Sequence, residues 1–197
     1  MKKIFFTTLF ILLSGQISAQ TTLIQADGFI DVASGELITP ANIVVDNGMI
    51  TSINPSSLPD EAETIDLSGS VLLPGFMDMH AHLTIDFDDF FRNIIGTESG
   101  SKGSIRGAKN ARKTLMAGFT TIRDLGQLHI TDELVNVAVA EAVNEGWIEG
   151  PRIIAAGHMI SITGGHGDPS SFFTDGFLEL SPEYGIINSP DEAVAAT

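Results

Sequence analysis

The sequence predicts an α/β protein in which a small β-rich unit precedes alternating strands and helices. Residues 22–73 contain short apolar segments separated by turn signals, whereas a helical period separates the short apolar runs that follow residue 74. The order strand, helix, strand, helix, strand requires a parallel sheet. With 43% hydrophobic residues and 20 glycines among 197 residues, the composition indicates a globular protein rather than an intrinsically disordered one.

The N-terminus is typical of a secretory signal peptide. Lys2 and Lys3 form a basic start, an apolar stretch of about ten residues follows over 4–13, and Ala19 is a small residue at the cleavage position. A bilayer-spanning helix needs about twenty apolar residues, so we expect cleavage after Ala19, with an uncleaved membrane anchor as the alternative. The protein is therefore expected to be exported, either periplasmic or secreted, without a stable membrane anchor.

Charge and cysteine content restrict the partners. The formal net charge is -15, which gives no electrostatic basis for binding nucleic acid or anionic lipid. The chain has no cysteine, which excludes disulfides and lipid attachment through an N-terminal cysteine. We expect a small-molecule or dipeptide substrate as the partner, and a homo-oligomer remains open.

The β-rich unit contains a clear hairpin signal. Residues 42–46 and 49–53 are apolar runs on either side of Asn47 and Gly48. Asn-Gly readily adopts the positive φ angles of a type I′ turn, so these runs predict a hairpin. Residues 22–26 and 63–66 are expected to supply further strands of the same unit.

The α/β part is predicted to contain three strands, over 75–80, 119–124 and 152–156. One amphipathic helix is expected before Gly118 and a second before Gly146. Residues 157–190 show no period and are expected to form a long loop, a feature that is usually functional or disordered in compact domains. The helical periodicity rests on Ile105, Ala108, Ala111, Leu115 and Met116 in the first helix, and on Leu134, Val135, Ala138, Val139, Ala142 and Val143 in the second.

Two histidines, His80 and His82, end the first strand of the α/β part. Successive side chains of a strand point to opposite faces, so this spacing directs both imidazoles to one face. Converging neutral imidazole nitrogens can hold a divalent metal ion at about 2.0–2.1 Å. Taken alone, such a pair is also compatible with two ordinary polar residues at a strand end, and further motifs decide between the two interpretations.

Four ordered motifs resemble the amidohydrolase superfamily. LPGFMDMHAH, over 73–82, is similar to its first barrel strand, and AGFTTIRDLG, over 117–126, to its second βα unit. GPRIIAAG, over 150–157, resembles the third unit. ISITGGHGD, over 160–168, resembles the imidazolonepropionase-related branch that includes the metal-dependent Xaa-Pro dipeptidases. The resemblance runs from Leu23 to the end of the chain and favours the metal interpretation of the histidine pair.

The resemblance implies the N-terminal part of a metal-dependent (β/α)8 TIM barrel, truncated after about three βα units and preceded by a small β-sandwich domain. Such a barrel needs about 250 residues. Ser189, Pro190 and Glu192 indicate a helix that begins close to the last residue. We therefore expect a fragment that is poorly stable alone, because a parallel sheet is normally covered on both faces. The expected domains are a signal peptide over 1–19, a composite β-rich domain over 20–73 and the first part of the barrel over 74–197.

The resemblance also implies a site at the carboxyl ends of the strands, with His80 and His82 as metal ligands. His166 stands among three glycines, where the backbone can approach a ligand closely, and we interpret it as a substrate-binding residue or as one that supports the site from outside. The expected cofactor is zinc, with two divalent ions in the complete enzyme. A bridging carboxylated lysine from the fourth strand, histidines from the fifth and sixth, and an aspartate from the eighth that moves protons would lie beyond Thr197. The catalytic residues of this chain are therefore unknown from the sequence. Alternatively, His166 and Asp168 form hydrogen bonds to local backbone in a glycine-rich turn.

Other polar residues lie near the strand ends. Asp78 is either a carboxylate that fixes a histidine tautomer or a buried structural acid bound to backbone amides. Arg123 and Asp124 are expected to serve packing and loop anchoring rather than catalysis. His129 and His158 match no ligand position of the family and are expected to be ordinary histidines at a helix start and in a loop.

The sequence thus predicts an exported metal-dependent amidohydrolase that hydrolyses amide C-N bonds, most simply in Xaa-Pro-type dipeptides. One alternative is a cyclic-amide or imidazolone hydrolase of the same branch. A second alternative is an inactive structural fragment that folds only against a missing half.

Overall fold

The computed structural model describes residues 21–87, 97–173, 176 and 178–196. The predicted signal peptide lies outside these residues. The chain divides into two compact units between Pro74 and Gly75. In the described part of the chain, no helix combines the length and the apolar character needed to cross a membrane.

The first unit is a five-stranded sheet built around a long central strand. The first strand, β1, pairs antiparallel with β2 and β3 along successive stretches and parallel with β5, while β4 pairs antiparallel with β3. Leu23, Ala26, Ala41 and Val44 are its buried apolar residues. The strands are β1 (Thr21–Asp31), β2 (Glu36–Ile38), β3 (Ala41–Asp46), β4 (Met49–Ile53) and β5 (Glu63–Leu72).

The predicted hairpin is confirmed. Strands β3 and β4 meet with Asp46 opposite Met49, and the two residues between them, Asn47 and Gly48, have φ angles of 51° and 77°. Positive φ at both central positions defines the type I′ turn that the Asn-Gly pair predicted. The Thr51 hydroxyl donates to the Asp46 carboxylate at 2.8 Å and closes the hairpin from the side.

The second unit has the α/β alternation that the sequence predicts. Its three strands are parallel and lie in the order β6-β7-β8, so their carboxyl ends share one edge of the sheet. The α/β fold with a preceding β-rich unit is therefore confirmed. The elements are β6 (Phe76–Ala81), α1 (Gly100–Met116), β7 (Phe119–Asp124), α2 (Val135–Asn144), β8 (Arg152–Ala155) and α3 (Pro190–Ala195).

The core of this unit lies between the sheet and helices α1 and α2. Ile122 of β7 and Ala111 of α1 are fully buried and pack with Leu83 and Val139. Ile153 of β8 also packs against this cluster, whereas its neighbour Ile154 is 51% exposed. Because successive strand residues alternate in direction, the described helices cover one face of the sheet.

Helix α1 approaches the sheet closely through a face of small residues. Gly100, Gly103, Gly107 and Ala111 are its buried positions. A Cβ atom added at Gly103 would lie 2.5 Å from Nε2 of His129. His129 is only 2% exposed and precedes α2 by several residues, so it is a buried side chain against α1 rather than a residue of the helix start. The glycine face of α1 leaves the space that the imidazole ring fills.

Residues 157–190 contain more structure than the predicted loop. Two 3-10 helices, Pro169–Phe172 and Pro182–Tyr184, lie in it, and Ser161 bridges to Ile186. The helix start predicted at Ser189 is confirmed, since the Ser189 hydroxyl accepts from the Glu192 amide at 3.2 Å. The Glu192 carboxylate in turn accepts from the backbone of Asn188, one residue before the cap.

Replacing Gly103 by Ala is expected to destabilise the protein. Alanine normally favours a helix by up to about 1 kcal/mol over glycine, but here the new methyl group would overlap the buried His129 ring. Overpacking of this kind costs about 1–3 kcal/mol, so we expect a net loss in the free energy of unfolding, measured by urea denaturation.

The control for this variant is Ser101→Ala, at an exposed position of the same helix. We expect it to change the free energy of unfolding by less than about 0.5 kcal/mol. Equal stability of the Gly103→Ala variant and the wild type would contradict the close packing of α1 on His129.

Candidate functional site

The histidine pair lies at the carboxyl edge of the parallel sheet. His80 is exposed at the end of β6, and His82 is half-buried just beyond it. Their ring centroids are 5.3 Å apart, with an angle of 75° between the ring planes. Two imidazoles bound tetrahedrally to one ion at about 2.0–2.1 Å would place their ring centres roughly 5 Å apart. The separation of the pair therefore fits a shared divalent ion.

The tautomer of His82 is fixed by a backbone carbonyl. Its Nδ1 atom lies 2.8 Å from the carbonyl oxygen of Gly126. Because a carbonyl only accepts, Nδ1 carries the hydrogen, and in the neutral form of the ring the lone pair is therefore on Nε2. Metal-binding histidines are typically held in this way, with the second ring nitrogen donating to a carbonyl or carboxylate. The Nε2 atom of His82 is thus available to bind a metal ion.

Gly126 occupies a position where only glycine fits. Its φ angle is 130°, which side chains rarely allow, and a Cβ atom there would lie 2.5 Å from Cγ of Met159. Its amide donates to Oδ1 of Asp124 at 3.0 Å. The carbonyl that faces His82 is therefore held by a turn that requires glycine and by the carboxylate at the end of β7.

Asp124 is a fully buried carboxylate that anchors the strand ends. Besides the Gly126 amide, it accepts from the Leu83 amide at 2.9 Å and from Nδ2 of Asn136 at 3.1 Å. These contacts agree with the anchoring role expected from the sequence. Its neighbour Arg123 is exposed and donates from Nε to the Met79 carbonyl at 3.1 Å, which links β7 to β6.

Two buried amide side chains extend this network to β8, and the sequence reasoning missed both. Asn136, at the start of α2, donates through Nδ2 to the carbonyl of Gly157 at 3.1 Å, and its backbone amide donates to Gln127 at 3.2 Å. Gln127 donates to the carbonyl of Glu133 at 2.9 Å. Isolated polar residues of this kind follow no period, and the only sequence signal was their place after a strand and at a helix start.

The segment after His82 is held by α1. Asn110 donates to the carbonyl of Leu83 at 2.8 Å and to Asp86 at 2.9 Å, while Arg106 and Lys109 bind the same carboxylate at 2.7 and 2.9 Å. Burial alone would raise the pKa of Asp86, but the hydrogen bonds from Lys109, Asn110 and Arg106 lower it to about 2. The segment thus carries a carboxylate that is ionised at neutral pH.

The Glu98 carboxylate is a second hydrogen-bond acceptor for side chains of α1. Its side chain is 5% exposed and binds Arg106 at 2.5 Å, Lys102 at 3.3 Å and Nε2 of His129 at 3.3 Å. Burial would raise the pKa of Glu98, but the hydrogen bonds from Arg106, His129 and Lys102 lower it overall. The other ring nitrogen of His129 is buried without a hydrogen-bond partner among the described residues.

Asp78 does not fix the tautomer of a histidine. Its Oδ1 atom accepts from the backbone amide of His80 at 2.9 Å. The half-buried carboxylate therefore matches the alternative of an acid bound to backbone. The interpretation as a tautomer-fixing carboxylate is wrong in this structure, because the Gly126 carbonyl occupies that role for His82.

The glycine-rich loop after β8 presents His166 on its surface. The buried Asp168 organises the loop by accepting from the amides of Gly164 at 2.7 Å and Ser170 at 2.9 Å. Burial would raise the pKa of Asp168, but hydrogen bonds from Ser170 and Gly164 lower it. His166 itself is exposed, and in the described ranges it makes no hydrogen bond or ring contact with His80 or His82. The sequence offered hydrogen bonds to local backbone as the alternative role of His166 and Asp168. Asp168 forms such bonds, whereas His166 does not among the described residues.

His158 occupies a half-buried position just beyond β8, against a 3-10 helix. Its ring lies 5.7 Å from that of Tyr184, nearly perpendicular to it, and burial lowers the pKa of His158. The Tyr184 hydroxyl donates to Asp132 at 3.0 Å. His158 is therefore a packed, neutral side chain rather than a freely exposed loop histidine.

The described residues hold no cluster of three or more potential metal-ligating side chains. Within these residues, His80 and His82 are the two side chains at the site that could bind an ion together, and the ion would need further ligands.

Comparison with known proteins places the chain in a defined family. Residues 71–193 match the model of the amidohydrolase family. Ochratoxinase from Aspergillus niger is 30% identical over 177 residues, which cover 86% of this chain and 34% of the relative. Dihydroorotase from Aquifex aeolicus is 36% identical over 100 residues, covering 51% of this chain and 21% of the relative.

A crystal structure of a Xaa-Pro dipeptidase with methionine bound in its active site superimposes with a TM-score of 0.77 at 36% identity. The match covers 90% of this chain and 43% of the dipeptidase chain. The chain thus spans about a third of the length of the ochratoxinase and less than half of that dipeptidase. Its architecture is consistent with the N-terminal portion of a TIM-barrel amidohydrolase preceded by a β-rich domain.

The ion pairs of Asp86 predict a pH-dependent contribution to stability. Its pKa is about 2 in the folded chain and close to 3.9 in an unfolded one. The folded state therefore gains stability above about pH 4 and loses this gain as the pH falls towards 2. We expect Asp86→Asn to lower the free energy of unfolding at pH 7, and the difference from wild type to shrink between pH 4 and 2.

The matched control is Glu149→Gln, which removes an exposed ion pair with Arg112. Such a pair contributes little, so this variant should unfold like the wild type at pH 7 in urea titrations. A difference between Asp86→Asn and wild type that stays constant from pH 7 to 2 would refute the role of the ionised carboxylate.

Proposed function

Because the chain belongs to the amidohydrolase family, we propose that it forms the metal-binding N-terminal part of an exported hydrolase that cleaves amide C-N bonds. The observation that carries the proposal is the hydrogen bond from Nδ1 of His82 to the Gly126 carbonyl. It leaves the Nε2 lone pair of His82 available beside the exposed ring of His80.

The expected metal is zinc, with two ions in the complete enzyme. A divalent ion held by His80 and His82 would polarise the scissile carbonyl and lower the pKa of a water molecule. The chain itself would bind the ion through the two imidazoles, and the Gly126 carbonyl would keep the hydrogen on Nδ1 of His82 and hold this ring in orientation. The group that transfers protons is expected among residues of the later barrel strands.

The proposed substrates are Xaa-Pro-type dipeptides, as in the imidazolonepropionase-related branch. The similarity to a Xaa-Pro dipeptidase over 90% of this chain supports this choice. His166 is the proposed substrate-binding residue, because its exposed ring stands on a loop that follows β8 and whose turn is held by hydrogen bonds to Asp168.

The alternative is hydrolysis of a cyclic amide. It is supported by the similarity to dihydroorotase over 51% of this chain. Both candidates require the same metal-binding pair and differ in the shape of the substrate.

Replacing His80 or His82 by Ala is expected to remove most bound zinc and most hydrolase activity from the complete enzyme. Each ring supplies one of few ligands, so its loss leaves the ion weakly held. Zinc is measured by atomic absorption after dialysis. The control is Arg112→Ala, which breaks only the exposed pair with Glu149 and should retain zinc. Wild-type zinc content in both histidine variants would show that the pair is structural.

A panel of dipeptides with and without C-terminal proline distinguishes the two substrates. We expect turnover to concentrate on the proline series, and cyclic amides to react poorly. Equal rates without proline, together with turnover of dihydroorotate or an imidazolone, would favour the cyclic-amide alternative. The measurement is the initial rate of product release at saturating zinc.

A further inference from the structure

We propose that Asp124 is the positioning residue for the His82 ligand, and that its one buried carboxylate fixes this histidine from two sides. This inference rests on the proposed function, because it takes His82 to be a metal ligand. Asp124 would touch neither metal nor substrate. It would act through the backbone of Gly126 and Leu83.

Asp124 first fixes the imidazole ring of His82. Oδ1 of Asp124 accepts from the Gly126 amide at 3.0 Å, and the carbonyl of the same residue accepts from Nδ1 of His82 at 2.8 Å. The position of the Gly126 peptide therefore depends on Asp124. Since the carbonyl selects the ring tautomer, a shift of this peptide would allow the hydrogen to occupy either Nδ1 or Nε2.

Asp124 also fixes the backbone that follows His82. Oδ2 of Asp124 accepts from the amide of Leu83, the residue that follows His82, at 2.9 Å. The Leu83 carbonyl is held in turn by Asn110 of α1 at 2.8 Å. Both peptide groups of Leu83 are thus anchored, and the main chain at His82 has little freedom to rotate the ring away.

These contacts require a carboxylate at residue 124. Its two oxygens accept from three donors, the Gly126 amide and Asn136 on Oδ1 and the Leu83 amide on Oδ2. Asparagine has the same shape, but one of its two terminal atoms is a donor. In either orientation, that NH2 group would face a backbone amide. A buried donor left without an acceptor costs about 1–3 kcal/mol, so the turn should rearrange.

Asn136, at the start of α2, also donates to the carboxylate. Its Nδ2 atom donates to both Asp124 and the Gly157 carbonyl, at 3.1 Å each. Removing this amide leaves Asp124 with its two backbone donors. The effect of an Asn136 variant on His82 should therefore be in the same direction as that of an Asp124 variant, but smaller.

The test compares Asp124→Asn with Val139→Ala, a buried core substitution in the same unit whose side chain makes no polar contact. The first readout is the tautomer of His82 in metal-free protein at pH 8, from NMR of 15N-labelled histidine ring nitrogens. The second is zinc affinity, by competition with a chelator. We expect wild-type protein and Val139→Ala to hold the hydrogen on Nδ1, and Asp124→Asn to show a mixture of tautomers.

We further expect zinc affinity to fall about 10- to 100-fold in Asp124→Asn, the usual effect of losing an outer partner of a ligand. An unchanged tautomer and affinity in that variant would overturn the proposal. Equal losses in Val139→Ala would also overturn it, because they would assign the effect to general destabilisation. If Asp124→Asn does not fold, Asn136→Ala decides, and an unchanged tautomer and zinc affinity there refute the proposal.

A failure of this proposal can be distinguished from a failure of the proposed function. The tautomer of His82 is read without metal or substrate, so it reports on Asp124 even if the protein hydrolyses no amide. Conversely, loss of zinc in the His82→Ala variant with no change in Asp124→Asn would retain the metal site and reject only the positioning role.

Discussion

The α/β unit depends on one buried charge, the carboxylate of Asp124. A buried carboxylate is costly unless hydrogen-bond donors surround it. Here every donor comes from a different part of the fold: the segment after β6, the turn after β7 and the start of α2. The charge therefore holds these parts in one arrangement, because the loss of any donor would leave the carboxylate poorly solvated. The sheet edge that carries the histidine pair is defined by this requirement.

A second polar cluster, formed by side chains of α1, holds the segment after His82. The segment after His82 has no regular structure and would be free to move, but the cations and the amide of α1 bind its carboxylate, Asp86. Helix α1 can reach it because glycines on its buried face allow the close approach to His129 and Val139. The first cluster uses neutral amides around a charge in the interior, and the second uses opposite charges near the surface, where solvent reduces their strength.

The sequence predicted the elements whose pattern is local and repeated. The Asn47-Gly48 turn, strand β7 and the helix start at Ser189 depend on neighbouring residues alone, and all three were found. The three-residue strand β2 was missed because it is too short to show alternation. The burial of His129 and the network of Gln127 and Asn136 were also missed, since they depend on contacts between segments far apart in sequence. For the site, the His-x-His spacing indicated the pair, but the partner of His82 is a backbone carbonyl, which no side-chain pattern reveals.

The pairing of β1 with β5 has a consequence for the order in which the first unit assembles. The strands of the hairpin are adjacent in the chain, whereas β1 and β5 are about forty residues apart, and pairing slows as such separations grow. The hairpin should therefore form early, and the parallel edge of β1 should close last. Until residues 63–72 arrive, that edge offers free amides and carbonyls to any other extended chain. During synthesis, the nascent protein is therefore exposed to intermolecular strand pairing at this edge.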